Sequence, residues 1–93
     1  MDYCLQNADE AEFNQLMLDT GLCVEITEGE EAVIVPADYT VIIDRIGPIT
    51  MGEITYPEYY SNLRLLNGAT EDQATALAVY AIDPSQPQYR TWL

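Results

Sequence analysis

Between Gly21 and Gly68 the chain is cut into short β-prone runs by glycine, proline and acidic turn formers, and this spacing constrains the fold more than any other feature. Residues 22–26 and 32–35 flank the acidic segment Glu28-Gly29-Glu30-Glu31, which reads as a hairpin connection with glycine supplying the special backbone angle. Pro36 ends the second run. Residues 40–46 form the most β-prone stretch, interrupted at Asp44 and Arg45; Gly47-Pro48 is expected to break it before 49–56 resumes, and 59–66 follows Pro57. Four or five strands this close in sequence predict an α+β fold built on a small antiparallel sheet or a barrel-like β-domain.

Helix signals stand on both sides of the β segment. Over 9–20, Phe13, Leu16, Met17 and Leu18 supply an apolar stripe behind an acidic first turn of Asp9, Glu10 and Glu12. Those carboxylates complement the positive end of the helix dipole, and Gly21 stands where a C-terminal cap belongs. This is the N-terminal amphipathic helix of the expected fold. After the turn at Asn67-Gly68, Thr70-Glu71-Asp72-Gln73 has the form of a capping box ahead of the alanine-rich residues 74–81, a short second helix. Asp83-Pro84-Ser85-Gln86-Pro87 reads as a loop, and 88–93 as a returning edge strand that carries Tyr89 and Trp92.

Sixteen acidic residues stand against three basic ones, all arginine, giving a net charge of -13 with no lysine or histidine. Nucleic-acid binding needs cations to displace counterions from phosphates, so direct contact with DNA or RNA is not expected. The same shortage argues against anionic membrane surfaces, and no apolar run approaches the roughly 20 residues that span a bilayer. Met1-Asp2-Tyr3-Cys4-Leu5 carries neither the basic nor the apolar region of a secretory signal, so a cytoplasm or an assembly is the expected location. Apolar residues at 48% against 20% charged residues are the composition of a folded chain, and 93 residues suffice for one core, hence a single globular domain over 1–93.

Chemistry is limited by the same composition. Without histidine there is no Ser-His-Asp or Cys-His mechanism, and without lysine neither a P-loop cation nor a Schiff-base amine. Carboxylate neighbours such as Glu30-Glu31 and Glu71-Asp72 remain, but in turns and helix starts these serve as solvated charges or caps. The expectation is therefore a protein that is not an enzyme, with no catalytic residue and no cofactor. No metal site is expected either: the calcium-loop pattern D-x-D-x-D-G is missing, and Glu28-Gly29-Glu30-Glu31 lacks its ligand spacing. Cys4 and Cys23 are too far apart for a CxxC pair and too few for zinc without histidine, so two reduced, buried thiols are expected, a disulfide being the alternative.

Two local patterns bear on partners. In Val41-Ile42-Ile43-Asp44-Arg45-Ile46 adjacent residues point to opposite faces, so one charge sits beside each apolar row. Either Arg45 closes an ion pair with a carboxylate on a neighbouring strand, the expected arrangement, or it faces a partner protein. Seven tyrosines in 93 residues is a high count, and Tyr56, Tyr59 and Tyr60 bracket Pro57-Glu58 at a strand junction. Rings with an apolar body and a polar tip favour interfaces, while half-buried sheet aromatics explain them equally well. Trp92 poses the same question.

From Val41 onward the chain resembles a group of short proteins encoded near the tail genes of tailed bacteriophages and prophages. The likeness lies in Ile43-Asp44-Arg45-Ile46-Gly47-Pro48-Ile49, in Tyr59-Tyr60-Ser61-Asn62-Leu63-Arg64, and in Pro84 and Pro87 ahead of Tyr89-Arg90-Thr91-Trp92. The relatives commonly carry an Asp-x-Ile-Gly strand, an aromatic-His-x-Asn-x-Arg strand and a terminal Pro-x-Arg-x-Trp. Tyr60 stands where histidine is usual, which weakens any catalytic reading of that position. The resemblance implies a genomic setting and an assembly role, not an activity. From the residues themselves, Asn62, Arg64, Arg90 and Trp92 equally form a structural cluster in which the arginines pair with carboxylates.

Two readings of function follow. In the first, the chain is a virion- or tail-associated protein, or an assembly accessory, that binds other proteins or its own copies through Tyr56, Tyr59, Tyr60, Arg64, Tyr89, Arg90 and Trp92. In the second it is a small acidic inhibitor whose carboxylates imitate nucleic-acid charge and occupy a basic host protein. The acidity is uneven: residues 1–44 hold 11 acidic residues and no basic one, and residues 45–93 hold five acidic and three basic, so the halves carry -11 and -2.

Overall fold

The computed structural model describes residues 1–82. The elements run β1(Asp2–Asn7), α1(Glu10–Asp19), β2(Cys23–Glu28), β3(Glu31–Pro36), β4(Val41–Met51), β5(Ile54–Leu65) and α2(Glu71–Ala78). The α+β class is confirmed. All strand pairs are antiparallel, in a three-stranded sheet ordered β1-β5-β4 and a separate β2-β3 ribbon. The sheets do not close, so the barrel-like alternative does not hold.

Both helices form where their end signals stand. The Asp9 carboxylate accepts the Glu12 backbone N–H at 2.8 Å, and Glu12 reaches back to accept from Ala8 N at 3.0 Å and Asn7 Nδ2 at 3.2 Å. Thr20 closes α1 and Gly21 follows it with a φ of 74°, the left-handed turn that glycine adopts without penalty. At α2 the capping box is complete: Thr70 Oγ1 accepts from Gln73 N at 3.1 Å and Gln73 Oε1 from Thr70 N at 3.0 Å. Gln73 Nε2 then donates to Thr20 O at 2.9 Å, which ties the start of α2 to the end of α1.

Three strand expectations are corrected. Residues 2–7 form a strand that the sequence reading missed, so α1 is not the first element. They pair along β5 from Asp2 opposite Arg64 to Asn7 opposite Tyr59. Gly47-Pro48 does not break β4; Gly47, at a φ of 77°, lies between two register shifts, and Pro48 has no ladder partner. Glycine absorbs the extra residue of a bulge, and proline is tolerated where no N–H is needed. Pro57 likewise lies beyond the end of β1 and inside the irregular stretch opposite Pro48. The real turn is at Gly52-Glu53, after the Met51–Ile54 pair, so residues 49–56 belong to two strands. Gly52 takes the positive φ required at the first central position of a two-residue hairpin.

The main hydrophobic cluster lies on one face of the sheet, and on the other face Tyr60 and Asn62 of β5 are buried as well. Leu5, Val41, Leu63 and Leu65 meet Phe13, Leu16 and Met17 of α1 and Leu77 of α2, with Leu22 and Cys23 carrying the cluster towards the ribbon. Leu18, placed in the apolar stripe, is only half buried. After α2 the chain continues the sheet: Gln6 N donates to Tyr80 O at 2.9 Å, Ile82 N to Cys4 O at 2.8 Å, and Leu5 bridges Ala81. The helix therefore ends at Ala78, short of the expected residue 81. The expected edge strand at 88–93 lies outside the described residues.

Leu63 is fully buried in the middle of β5, whereas Ile54 at the hairpin end is 60% exposed. Leu63→Ala should cost about 2–5 kcal/mol of unfolding free energy and Ile54→Ala about 0.5 kcal/mol or less, measured by urea denaturation.

Candidate protein-docking surface

Arg45 and Asp44 occupy opposite faces of β4. The Arg45 guanidinium lies 5.0 Å from the centre of the Phe13 ring, and Nη1 donates to Asn14 Oδ1 at 2.9 Å and to Tyr59 OH at 3.3 Å. Tyr59 leans against Phe13 with ring centres 5.4 Å apart. The expected cross-strand ion pair is therefore not what holds Arg45: among the described residues it has no carboxylate at salt-bridge distance. A weakly hydrated, planar guanidinium suits an aromatic face plus two neutral acceptors, and this packing ties α1 to the sheet. Asp44, on the other face, accepts from Asn62 Nδ2 at 3.3 Å. An open groove of about 290 Å³ beside Arg45 is lined by Glu10, Asn14, Ala32, Val33 and Ile34.

The tyrosine-rich segment turns largely inward. Tyr59 is 7% exposed and Tyr60 1%, while Tyr56 is half buried. Tyr59 belongs to the core cluster, as the sheet-aromatic alternative describes. Burial pushes the Tyr60 phenol above its ordinary range, and Glu58, whose Oε2 accepts from the Tyr60 hydroxyl at 3.4 Å, pushes it the same way. Arg64 makes a two-pronged pair with Asp2, Nε to Oδ1 at 2.8 Å and Nη2 to Oδ2 at 2.9 Å, locking the first rung between β1 and β5. Those hydrogen bonds hold the Asp2 carboxyl below the usual range. Tyr89, Arg90 and Trp92 lie outside the described residues.

Cys4 and Cys23 are free thiols; burial raises the pKa of Cys23, which makes it a poor nucleophile. Among the described residues no group of three or more cysteine or carboxylate side chains converges as metal ligands, and no helix is long and apolar enough to cross a membrane.

Large apolar side chains are exposed at several places, among them Tyr39, Ile54, Leu66 and Val79, and on the β2-β3 ribbon at Val24 and Ile26. The β2-β3 register sets Val24 opposite Val35, Ile26 opposite Val33 and Glu28 opposite Glu31, all on one face, with Gly29-Glu30 as the connection. The opposite face carries Cys23, which is buried, and Ile34, which packs on the core. Val24 and Ile26 remain 43% and 44% exposed. The alternation Val24-Glu25-Ile26 was visible as a strand, but which face meets the core depends on where α1 and the sheet sit.

The Asp2–Arg64 pair gives a pH test. A depressed carboxyl pKa contributes stability above the unfolded carboxylate range and loses it as pH falls through the folded pKa. Asp2→Asn should therefore lower the urea midpoint at neutral pH, and the gap from the wild type should shrink as pH falls below the ordinary carboxylate range.

Comparison with known protein families, with curated proteins and with solved structures finds no match, which leaves the surface of this chain as the ground for a functional reading.

Proposed function

We propose that this is a non-catalytic protein that acts by binding other proteins, as a virion- or tail-associated component or assembly accessory of a tailed bacteriophage or prophage. It works in the cytoplasm of the bacterial host or within the particle. The observation that carries this reading is the outward face of the β2-β3 ribbon, where Val24 and Ile26 stand in solvent, opposite the half-buried Val35 and Val33, on an element packed to the core through its other face. Two-stranded ribbons are marginal on their own, and apolar rows on an open ribbon favour contact with another protein. The phage setting rests on the resemblance in residues 43–49, 59–64 and 84–92.

The second reading, an acidic inhibitor that imitates nucleic-acid charge, is favoured by the crowding of Glu25, Glu28, Glu30 and Glu31 on one hairpin with no cation between residues 1 and 44. A row of carboxylates on a fixed backbone presents a field like that of phosphates.

Mass spectrometry of purified particles should find the protein in fixed proportion to tail proteins. Its absence, with normal tail assembly in a deletion strain, would overturn the first reading. A complex with a basic host protein that dissolves steeply as salt rises would favour the second.

A further inference from the structure

The outward face of the ribbon is organised along its length. Nearest the core end stands the Val24–Val35 pair, next the Ile26–Val33 pair, and at the tip the Glu28–Glu31 pair, with Glu30 in the turn. We propose that this face docks onto a protein surface with an apolar centre flanked by lysine or arginine. This rests on the protein-binding reading above and adds the chemistry of the partner.

The apolar rows and the carboxylate tip are separate observations that point to the same occupant. An antiparallel ribbon with one face on a core is ordinarily polar on the other, whereas here both faces carry aliphatic side chains. The exposed Val24 and Ile26 and the half-buried Val35 and Val33 opposite them make two adjacent cross-strand pairs, a contiguous apolar strip of the kind that a second layer covers. At the tip, two carboxylates stand directly opposite each other, a like-charge pairing that weakens a hairpin. No lysine or arginine lies anywhere from residue 1 to 44 to compensate it. A cation supplied by a partner relieves that repulsion while the partner's apolar centre covers the valine and isoleucine rows.

Charge selects among the alternatives. A second copy of this chain seated face to face would bring both Glu28–Glu31 pairs together on molecules of charge -13 each. A nucleic acid meets no cation on this ribbon, and it has no use for the aliphatic rows. A basic protein surface lacking an apolar centre would leave those rows in water.

Fluorescence anisotropy with the full chain and three labelled synthetic β-hairpin peptides of equal length tests the proposal. One alternates valine with lysine, one valine with glutamate, and one serine with lysine. The valine–lysine peptide should bind, and Ile26→Ser and the double variant Glu28→Gln/Glu31→Gln should each weaken it by about tenfold. Val79→Ser, which removes an apolar side chain 73% exposed at the C-cap of α2, should leave binding unchanged. All the substituted positions are exposed, and circular dichroism of each variant should match the wild type. Equal binding of the serine–lysine peptide, an unaffected Ile26→Ser variant, binding of the valine–glutamate peptide, or no binding of any peptide overturns the proposal. So does a dimer in sedimentation that Ile26→Ser dissolves, because the occupant is then a second copy. In phage particles, equal retention of wild type and Ile26→Ser defeats this inference and leaves the protein-binding reading standing. Absence of the wild type from particles, with normal assembly without it, defeats that reading itself.

Discussion

The fold depends on a strand paired along both edges by segments from distant parts of the chain. β5 takes β1 on one side, from 62 residues away at the Asp2–Arg64 rung, and β4 on the other through the Gly52 turn. Over residues 60–64, where both neighbours pair with it, its backbone is hydrogen-bonded inside the molecule, and its core-facing residues Tyr59, Leu63 and Leu65 form the floor on which both helices rest. The departures from a regular ladder fall where the chain contains Gly47, Pro48 and Pro57, whose backbones require them.

The described arginines are both drawn into holding this arrangement together. Arg64 joins β1 to β5 through Asp2, and Arg45 joins α1 to the sheet through Phe13, Asn14 and Tyr59. Several carboxylates in the first half also have local work as caps, Asp9 and Glu12 among them. Those of the hairpin tip have none. Positive charge is therefore used within the fold while negative charge accumulates on the ribbon, and the field seen by a partner is more one-sided there than the total charge suggests.

Much of the local structure was legible. Asp9 and Gly21 marked the ends of α1, Thr70 and Gln73 marked the start of α2, and Gly29 marked the ribbon turn, because each acts on backbone groups a few residues away. The misses were of longer range. β1 is short and partly polar, and it is a strand because β5 accepts its backbone groups. Gly47-Pro48 carries the composition of a turn but becomes a bulge because β5 continues opposite it. Arg45 was expected beside a carboxylate on a neighbouring strand; the ring of Phe13, 32 positions earlier, took that place. For Tyr59 and Tyr60 the composition left contact surface and half-buried sheet aromatic equally open; both are buried in the structure.

The sequence by itself determined the α+β class, the helix ends, the hairpin over residues 23–36 and the uneven charge, since these follow from short-range backbone preferences and from counting ionised groups. It also removed the common histidine- and lysine-dependent chemistries. Only the tertiary structure decided which face of each strand is inside. Alternation gives a strand two faces but does not say which one a helix will cover, and packing of α1 and α2 on one side of β1-β5-β4 placed the main hydrophobic cluster there. The same packing turned Tyr59 inward and left Val24 and Ile26 in solvent.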